Sequence, residues 1–395
     1  MNEATTTTPK PLIVQSSKYK QWLEPLVLIA ILSLFFGYLG SKMGVSNMLN
    51  TLFNTAHQLL LQTVLLLMGI TVLAGALGRL LTEFHVVALM ERLLSPLMRP
   101  VFNLPGRAAM AAIITFFSDN PAIIGLARDK RFSHNFKTIE LISLTNFGTA
   151  FGMGLISVTF MATLKAPDGQ NFFQAALIGL MGALVGAVIS TRLMQRLCKK
   201  ELLNHPVHIT NGGSTTNVHE NHLGSIWLRA LNSILDGGKS GVEMGIAIIP
   251  GVLIISTFVM ILTFGGPEAG YTGTAFEGVA LLPALAQYLA VPFHYLFGFD
   301  NPELIAFPIT SLGAVGAALS LVPNFIERGI VSESDIAVFT AMGMCLSGFL
   351  STHTAMLDTL GFRKMTSKAI LSHTVGGVCA GVAARYLYLL ISSFS

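Results

Sequence analysis

Residues 108–127 read AAMAAIITFFSDNPAIIGLA, an apolar run with the polar tetrapeptide Ser118-Asp119-Asn120-Pro121 at its centre. The run is long enough to cross a bilayer as a helix. However, Pro121 removes a helical hydrogen bond, and an unpaired carboxylate such as that of Asp119 costs roughly 2.5 kcal/mol or more at that depth. Interrupted helices are tolerated where the break is buried in protein or lines a wet cavity. We therefore predict a re-entrant helical hairpin with its tip at residues 118–121.

The composition of the whole chain indicates an integral membrane protein. Of the 395 residues, 52% are hydrophobic and 11% are charged, whereas a soluble domain carries about 25% charged residues. The charges gather between long uncharged runs. This excludes a disordered chain, a coiled coil, a disulfide scaffold and nearly every soluble enzyme. Because transmembrane strands would appear as short alternating segments, the continuous runs predict an all-α protein.

The pattern of spans divides the chain into two similar halves. Each half is predicted to contain a span, an interfacial helix, a hairpin and two further spans, which is the pattern of an internal duplication. The second hairpin is the run 304–322, which Pro308 and Gly313 interrupt. The predicted segments are a polar cytoplasmic tail (1–21), a first transmembrane span (22–41), a first repeat (57–197), a hydrophilic cytoplasmic linker (198–224) and a second repeat (225–395).

The distribution of Lys and Arg orients the halves. Residues 79–137 contain eight basic residues, whereas residues 265–333 contain only Arg328. Basic residues gather on the cytoplasmic side of membrane proteins. The two halves are therefore predicted to be inverted repeats in a cell inner membrane, with the N-terminus cytoplasmic and the C-terminus extracytoplasmic. Alternating-access transporters are commonly built from such repeats.

Four motifs resemble, in order, those of the Gate or "nucleoside recognition" family. That family groups spore maturation proteins A and B with gate segments of ferrous iron transporter B and of concentrative nucleoside transporters. The resemblance covers about residues 90–357. One departure is His353, which stands where relatives of spore maturation protein B carry a Glu, so a function that uses that carboxylate is not carried over. The motifs are SDNPAIIGLARDKRF (118–132), ELISLTNFGTAFG (140–152), FPITSLGAVGAAL (307–319) and SGFLSTHTAML (347–357).

The candidate substrate-binding residues are polar groups at hairpin tips or in the middle of spans. Asp119 and Asn120 would present a carboxylate and an amide to a solute or coupling ion; the alternative is a tip solvated at the cytoplasmic headgroups. Mid-span polar groups on one helical face would line the same cavity or form interhelical hydrogen bonds instead. The full predicted set is Ser118, Asp119, Asn120, Thr145, Asn146, Thr149, Thr310, Ser311, Ser351, Thr352, His353 and Thr354.

Asp119 and His353 are the two candidates for ion coupling. A histidine can carry a proton near neutral pH, although a buried, hydrogen-bonded histidine is the alternative. The sequence contains no ATP-hydrolysing motif, so energy would come from a Na+ or H+ gradient or from facilitation alone. We predict no cofactor and no metal site.

Together these features predict a secondary transporter of a small polar solute, with nucleosides conceivable as the substrate. The first alternative is a non-transporting membrane component that binds a partner or assists assembly, as the spore maturation relatives would suggest. A membrane enzyme acting on lipid is a second alternative, but the pairs Glu83/His85 and His353/Asp358 lack a nucleophile or metal set. The expected partners are the solute and the lipid bilayer, without nucleic acid. The oligomeric state stays open, a homo-oligomer included.

Overall fold

The computed structural model describes residues 18–202 and 225–394. It is 81% helical, so the predicted all-α integral membrane fold is confirmed, whereas the inverted relation of the halves stays a prediction. Most of the predicted tail and linker lies outside the described residues. Within these two described ranges, seven helical segments are long and apolar enough to cross a membrane: Trp22–Met43, Val45–Glu83, Thr138–Thr163, Phe173–Lys199, Ile226–Thr263, Glu333–Thr359 and Arg363–Ser392.

The first half begins with a single N-terminal helix and a very long second one. A π-helical segment, Leu59–Val64, joins α2 and α3 into one continuous helix. The apolar run at 57–81, which the sequence predicts as a span, is only the second part of this helix. The helices are α1 (Lys18–Met43), α2 (Val45–Gln58), α3 (Leu65–Glu83), α4 (Val86–Leu97), α5 (Ala108–Phe117), α6 (Pro121–Arg128), α7 (Lys130–Ser133), α8 (Thr138–Thr149), α9 (Gly154–Thr163) and α10 (Phe173–Leu202).

The second half repeats this order. The π-helical segment Gly251–Ser256 lies between α11 and α12 within another long helix. The helices are α11 (Ile226–Ala247), α12 (Thr257–Thr263), α13 (Leu281–Ala286), α14 (Ala290–Phe297), α15 (Ala306–Gly313), α16 (Val315–Leu319), α17 (Val322–Glu327), α18 (Glu333–Cys345), α19 (Phe349–Thr359) and α20 (Thr366–Ser392).

One expectation for the second half was wrong. The sequence predicts an interfacial stretch with Trp227, Arg229 and Asp236 before a separate span at 242–265. In the structure the helix is continuous from Ile226. The charge of Arg229 is balanced inside the fold, because its Nε atom donates to Glu83 Oε1 at 2.8 Å and its guanidinium lies over the Phe84 ring at 5.5 Å. A paired cation therefore does not interrupt the helix.

The two halves share features at a constant spacing. The carboxylates of Glu140 and Asp335 each accept a hydrogen bond from the backbone N–H three residues earlier, at the start of α8 and of α18. Met153 and Gly348 each precede the next helix with a left-handed backbone, at φ 51° and 53°. Asp335 follows Glu140 by 195 residues, and Gly348 follows Met153 by the same number. This common shift supports the predicted internal duplication.

The two long helices cross at a contact made by glycines. A Cβ atom on Gly75 would be 2.4 Å from the Gly237 carbonyl oxygen, and one on Gly241 would be 2.3 Å from the Thr71 carbonyl oxygen. Thr71 Oγ1 also donates to the Gly241 carbonyl at 2.7 Å. Small residues let membrane helices approach this closely, so α3 and α11 are held together backbone to backbone.

Burial identifies the centre of the protein. The broken helices α8/α9 and α18/α19 contain apolar stretches that are 94% and 83% buried, whereas the corresponding stretch of α1 is only 6% buried. The two broken helices therefore lie at the centre, and α1 lies at the periphery with its apolar side chains outward.

A loop at 264–280 packs on α2 and is held by one carboxylate. The Glu277 side chain, 5% exposed, accepts hydrogen bonds from the backbone N–H groups of Thr272 and Gly273 and from the hydroxyls of Thr272 and Thr274. Asn54 Nδ2 on α2 donates to the Gly273 carbonyl at 2.8 Å. Glu277 thus fixes the turn that meets α2.

Candidate functional site

The first hairpin turns at residues 118–120, where the sequence predicts it. Pro121 is the first residue of α6, a position at which its missing N–H costs nothing. Ser118 Oγ donates to the Ile114 carbonyl at 2.6 Å, so this hydroxyl closes the last turn of α5. Asp119 Oδ1 accepts from the backbone N–H of Asn120 at 2.6 Å, and its carboxylate is half-buried.

The side chain of Asn120 lies between the two helix breaks. Its Nδ2 atom donates to the main-chain carbonyl of Ser347, in the break between α18 and α19. Its Oδ1 atom lies against Gly152, in the break between α8 and α9, where a Cβ atom would come within 1.9 Å. Asn120 is 2% exposed, and Oδ1 has no hydrogen-bond partner among the described residues. The tip of the first hairpin therefore joins the breaks of both halves.

The second hairpin turns at Ala314, later than predicted. Ala314 has an extended backbone between α15 and α16. The sequence predicts the tip at Thr310 and Ser311, between the interrupting residues Pro308 and Gly313. Pro308, however, lies in the first turn of α15, where it has no helical N–H bond to lose, and the helix ends only at Gly313. Thr310 and Ser311 are buried in the last turn of α15, and their hydroxyls donate to carbonyls of that helix.

A cavity of about 200 Å³ lies where these elements meet. Both hairpin tips, both helix breaks and the end of α11 contribute to its wall. The Gly348 N–H in the second break also donates to the Ser311 carbonyl at 3.4 Å. The lining residues are Asp119, Asn120, Pro121, Met153, Met244, Ala247, Ile248, Gly251, Gly313, Ala314, Val315, Gly316, Ala317, Ser347, Gly348, Ser351 and Thr352.

Four of the predicted site residues line this cavity: Asp119, Asn120, Ser351 and Thr352. Asp119 carries the only ionisable side chain among the lining residues. The hydroxyls of Ser351 and Thr352 both donate to the Gly348 carbonyl, at 3.0 and 3.3 Å, which leaves their lone pairs available as acceptors. The cavity can thus offer one carboxylate, two hydroxyls, an amide and main-chain groups to a solute.

The mid-span group on α8 lies elsewhere. Thr145, Asn146 and Thr149 are fully buried but are not among the lining residues. Asn146 Nδ2 lies 2.9 Å from Ser190 Oγ on α10 and 2.8 Å from Ser372 Oγ on α20. Of the two predicted roles, lining a cavity or forming hydrogen bonds between helices, Asn146 therefore has the second, because its amide connects α8 to α10 and α20.

The remaining predicted residues also lie outside the lining. The Ser118 hydroxyl is directed back into α5. Thr354 is exposed, and its hydroxyl donates to the Leu350 carbonyl at 2.8 Å. His353 is fully buried behind the cavity wall. No cluster of three or more His, Cys, Asp or Glu side chains suited to a metal ion occurs in the described ranges.

Residues of α11 and of the second break were missed by the sequence prediction. Ile248 and Gly251 line the cavity where the long helix changes from α to π geometry after Pro250. A Pro-Gly pair inside an apolar run is the signal that would have indicated this position. Ser347 contributes through its main-chain carbonyl, a group for which the sequence holds no signal.

Part of the first half matches a known protein family. Residues 64–166, which contain the first hairpin and the first helix break, match the model of the Gate family, described as nucleoside recognition. The resemblance to that family seen in the sequence is therefore confirmed for this segment. No curated protein matches the chain by sequence.

Solved structures of CNTnw, a concentrative nucleoside transporter, have a similar fold. A double variant in an outward-facing state aligns with a TM-score of 0.53 and 14% identity, over 94% of this chain and 87% of that one. A variant in the intermediate 2 state gives a TM-score of 0.53 and 14% identity, over 82% and 76% of the two chains. A variant in the intermediate 3 state gives 0.50 and 13%, over 96% and 88%. At these identities the likeness is one of fold.

Proposed function

We propose that the chain is a secondary transporter that carries a small polar solute across the membrane by alternating access, without catalysing a reaction. The observation that carries this proposal is the cavity at which two hairpin tips and two helix breaks meet. Substrate sites of transporters with repeated halves are typically formed by such discontinuous helices near the bilayer midplane. Similarity in fold to a nucleoside transporter solved in outward-facing and intermediate states gives further support.

The chemistry of the cavity narrows the class of solute. The Asp119 carboxylate and the main-chain carbonyls accept hydrogen bonds, while the hydroxyls of Ser351 and Thr352 keep lone pairs free. A matching solute carries several O–H or N–H groups. The volume of about 200 Å³ is below the roughly 300–1,000 Å³ of pockets for drug-sized ligands, so the solute is small or the cavity widens around it. Nucleosides, with sugar hydroxyls and amide-like base edges, are the class we propose first.

Energy for transport would come from a Na+ or H+ gradient. Asp119 and His353 stay the two candidates for binding the coupling ion. Of these, Asp119 lines the cavity, where a half-buried carboxylate can be neutralised by either ion. Intramembrane ionisable residues are functional candidates by default, since burying them is costly.

We further infer that the halves are inverted in the membrane, with the N-terminus cytoplasmic and the C-terminus extracytoplasmic. The shift of 195 residues between corresponding features supports duplication, and the excess of basic residues in the first half supports its orientation. Reporter fusions that are active on only one side of the membrane, placed at residue 394, test this topology. A C-terminal reporter active in the cytoplasm would contradict it.

Thermal unfolding of the purified chain tests binding directly. Nucleosides, bases, amino acids and organic acids would be added singly, with and without Na+ and at two pH values. A ligand at 100 times its Kd stabilises by about 2.7 kcal/mol. Asp119→Asn is expected to weaken binding about tenfold to hundredfold, which corresponds to the loss of a hydrogen bond to a charged group. Asp168→Asn, in an exposed loop, is the matched control and should bind as the unaltered chain does.

The same measurement separates this proposal from the non-transporting alternative. A component that only binds a membrane partner would show no stabilisation by any solute. It would also tolerate Asp119→Asn without loss of function, while substitutions on its outer surface would disrupt its complexes.

A further inference from the structure

His353 is a buried ionisable group whose ring is not paired by the protein around it. The residue is completely buried, and neither ring nitrogen has a hydrogen-bond partner among the described residues. The Phe349 carbonyl, one turn earlier on α19, lies near the ring without forming a hydrogen bond of normal geometry. Buried polar groups in native proteins nearly always have partners. His353 is thus a buried histidine whose two ring nitrogens are both left without a partner by the described part of the chain around it.

The neighbouring histidine is fully bonded by comparison. His373 Nε2 contacts the Cys345 carbonyl, which can only accept, so this nitrogen carries the proton. Nδ1 is then the acceptor of a neutral ring, and the Ser190 hydroxyl donates to it at 2.9 Å. Ser190 Oγ in turn accepts from Asn146 Nδ2 at 2.9 Å. This chain of bonds favours the neutral ring of His373 with its proton on Nε2, because a second proton on Nδ1 would require the Ser190 hydroxyl to turn to another acceptor.

The ring of His353 has one ionisable neighbour among the described residues. It is 4.6 Å from the ring of His373, centroid to centroid, and 5.5 Å from that of Phe349. Helices α6, α8, α15 and α20 and the 3₁₀ turn Arg363–Met365 pack against α19. Of the ionisable groups on these elements, Arg363 and Lys364 included, only His373 acts on a charge at His353. A positive charge at His353 would be buried with no carboxylate to balance it, so in this conformation the ring is neutral.

The position of His353 connects it to the cavity. The preceding residue, Thr352, lines the cavity, and α19 begins immediately after Gly348, whose left-handed backbone marks the break. A movement of the first turn of α19 about this break would expose the His353 ring to water in the cavity. The ring would then be sealed again when the turn packs back against α20.

We propose that His353 is the proton-binding group that couples this protein to a proton gradient, an inference that rests on the proposed transport function. When the break opens to water on one side, an unpaired ring nitrogen accepts a proton from a hydronium ion: an O–H bond of that ion breaks, an N–H bond forms, and the ring becomes an imidazolium beside a water molecule. When the cavity opens to the other side, the same N–H bond breaks and the proton passes to the water there. A histidine suits this exchange because its proton affinity lies near physiological pH.

Hydrogen exchange at the histidine C2 position tests the site without any solute. The full chain in detergent would be incubated in deuterated buffer at several pH values, and deuterium at each histidine would be measured by mass spectrometry. His353 should exchange with a sigmoidal pH dependence, more slowly than the exposed His294, whereas His373 should stay protected. If His353 remains as protected as His373 after His294 has exchanged fully, the proposal is overturned.

Transport in liposomes tests coupling, with uridine as the probe. A pH gradient of one unit should drive about tenfold accumulation if one proton moves with each solute. His353→Gln should abolish this accumulation yet retain exchange of uridine across the membrane, and His294→Gln should behave as the unaltered chain. Accumulation by His353→Gln, or accumulation driven by Na+ alone, would overturn the proposal. If the unaltered chain moves no uridine, the nucleoside assignment fails instead, and the exchange measurement still decides whether His353 binds a proton.

Discussion

The side-chain amide of Asn120 donates a hydrogen bond to the main-chain carbonyl of Ser347, 227 residues later in the chain. The donor belongs to the tip of the first hairpin, and the acceptor belongs to a helix break in the other half. This bond closes one wall of the cavity with groups from both halves. The alternating access proposed above would require this bond to break when the cavity opens on that side, and we call the Asn120–Ser347 pair a latch in that sense.

Asn120→Ala should destabilise the chain and loosen this latch. The substitution removes a buried hydrogen bond, worth about 0.5–1.5 kcal/mol, and leaves the Ser347 carbonyl without its partner, which costs about 1–3 kcal/mol. Thermal unfolding in detergent measures the change. Asn135→Ala is the control, because Asn135 is exposed and bonds locally to the Phe132 carbonyl; equal destabilisation by both substitutions would contradict the latch.

Gly152→Ala should disturb the same contact from the other side. Its methyl group would lie 1.9 Å from Asn120 Oδ1, so the amide must move away from the first break, and overpacking of this kind costs about 1–3 kcal/mol. Gly125→Ala, where nothing lies within 4 Å of the new Cβ, should be neutral or stabilising by up to about 1 kcal/mol. In the double variant, Asn120→Ala removes the clash, so the combined loss should be smaller than the sum of the single losses. Additive losses would show that the two sites do not touch.

The crossing of the long helices offers a second matched pair of glycines. Gly241→Ala would place a Cβ atom 2.3 Å from the Thr71 carbonyl oxygen, whereas Gly238→Ala places one in ordinary contact with Val72, at 3.7 Å. We expect Gly241→Ala to lower the unfolding temperature markedly and to separate α3 from α11, with a loss of about 1–3 kcal/mol. Gly238→Ala should have little effect. Equal tolerance of both would mean that the helices do not approach backbone to backbone.

The loop on α2 should give the protein an acid-sensitive element. Burial raises the pKa of Glu277, but the hydrogen bonds from Thr272, Thr274 and Gly273 outweigh burial and hold the pKa below its ordinary value. A group with a lowered folded-state pKa contributes stability above its ordinary pKa and loses that contribution as the pH falls through the folded-state value. The loop should therefore be firmly held at neutral pH and loosen in acid.

Glu277→Gln tests this pH dependence. At pH 7 the variant should unfold at a lower temperature than the unaltered chain, and this difference should shrink as the pH falls through the lowered pKa of Glu277. Glu268→Gln, at an exposed position in the same loop, is the control and should leave the profile unchanged. If the difference in unfolding temperature grew as the pH falls, the Glu277 carboxylate would not be the group that stabilises the loop at neutral pH.

The first hairpin could be predicted from the sequence because its break is formed by side chains that do not suit an uninterrupted transmembrane helix. Ser118, Asp119 and Asn120 are too polar for an uninterrupted span, and Pro121 is suited to a helix start. The second tip was misplaced because the prediction set it between Pro308 and Gly313, although a proline in the first turn of a helix breaks nothing. The actual turn at Ala314 directly follows Gly313, so only the second of the two predicted interruptions ends the helix.

The polar residues of the spans show a different limit. Periodicity places Thr145, Asn146 and Thr149 on neighbouring faces of α8 and correctly implies burial. Periodicity does not show which helices those faces meet. The Asn146 side chain meets two of them, α10 and α20. Contacts between distant helices depend on how the whole bundle packs, so the members of the cavity could be predicted only in part.

Nine of the 17 residues around the cavity are glycine, alanine or serine, so much of its wall is formed by peptide groups. Every amino acid carries the same peptide N–H and C=O. Substitutions that keep these side chains small and the backbone path unchanged would leave such a wall intact. A cavity of this kind can therefore change widely in sequence and still offer the same groups to a solute. Distant homologues with such a cavity would resemble one another in the backbone path of their broken helices more than in their side chains.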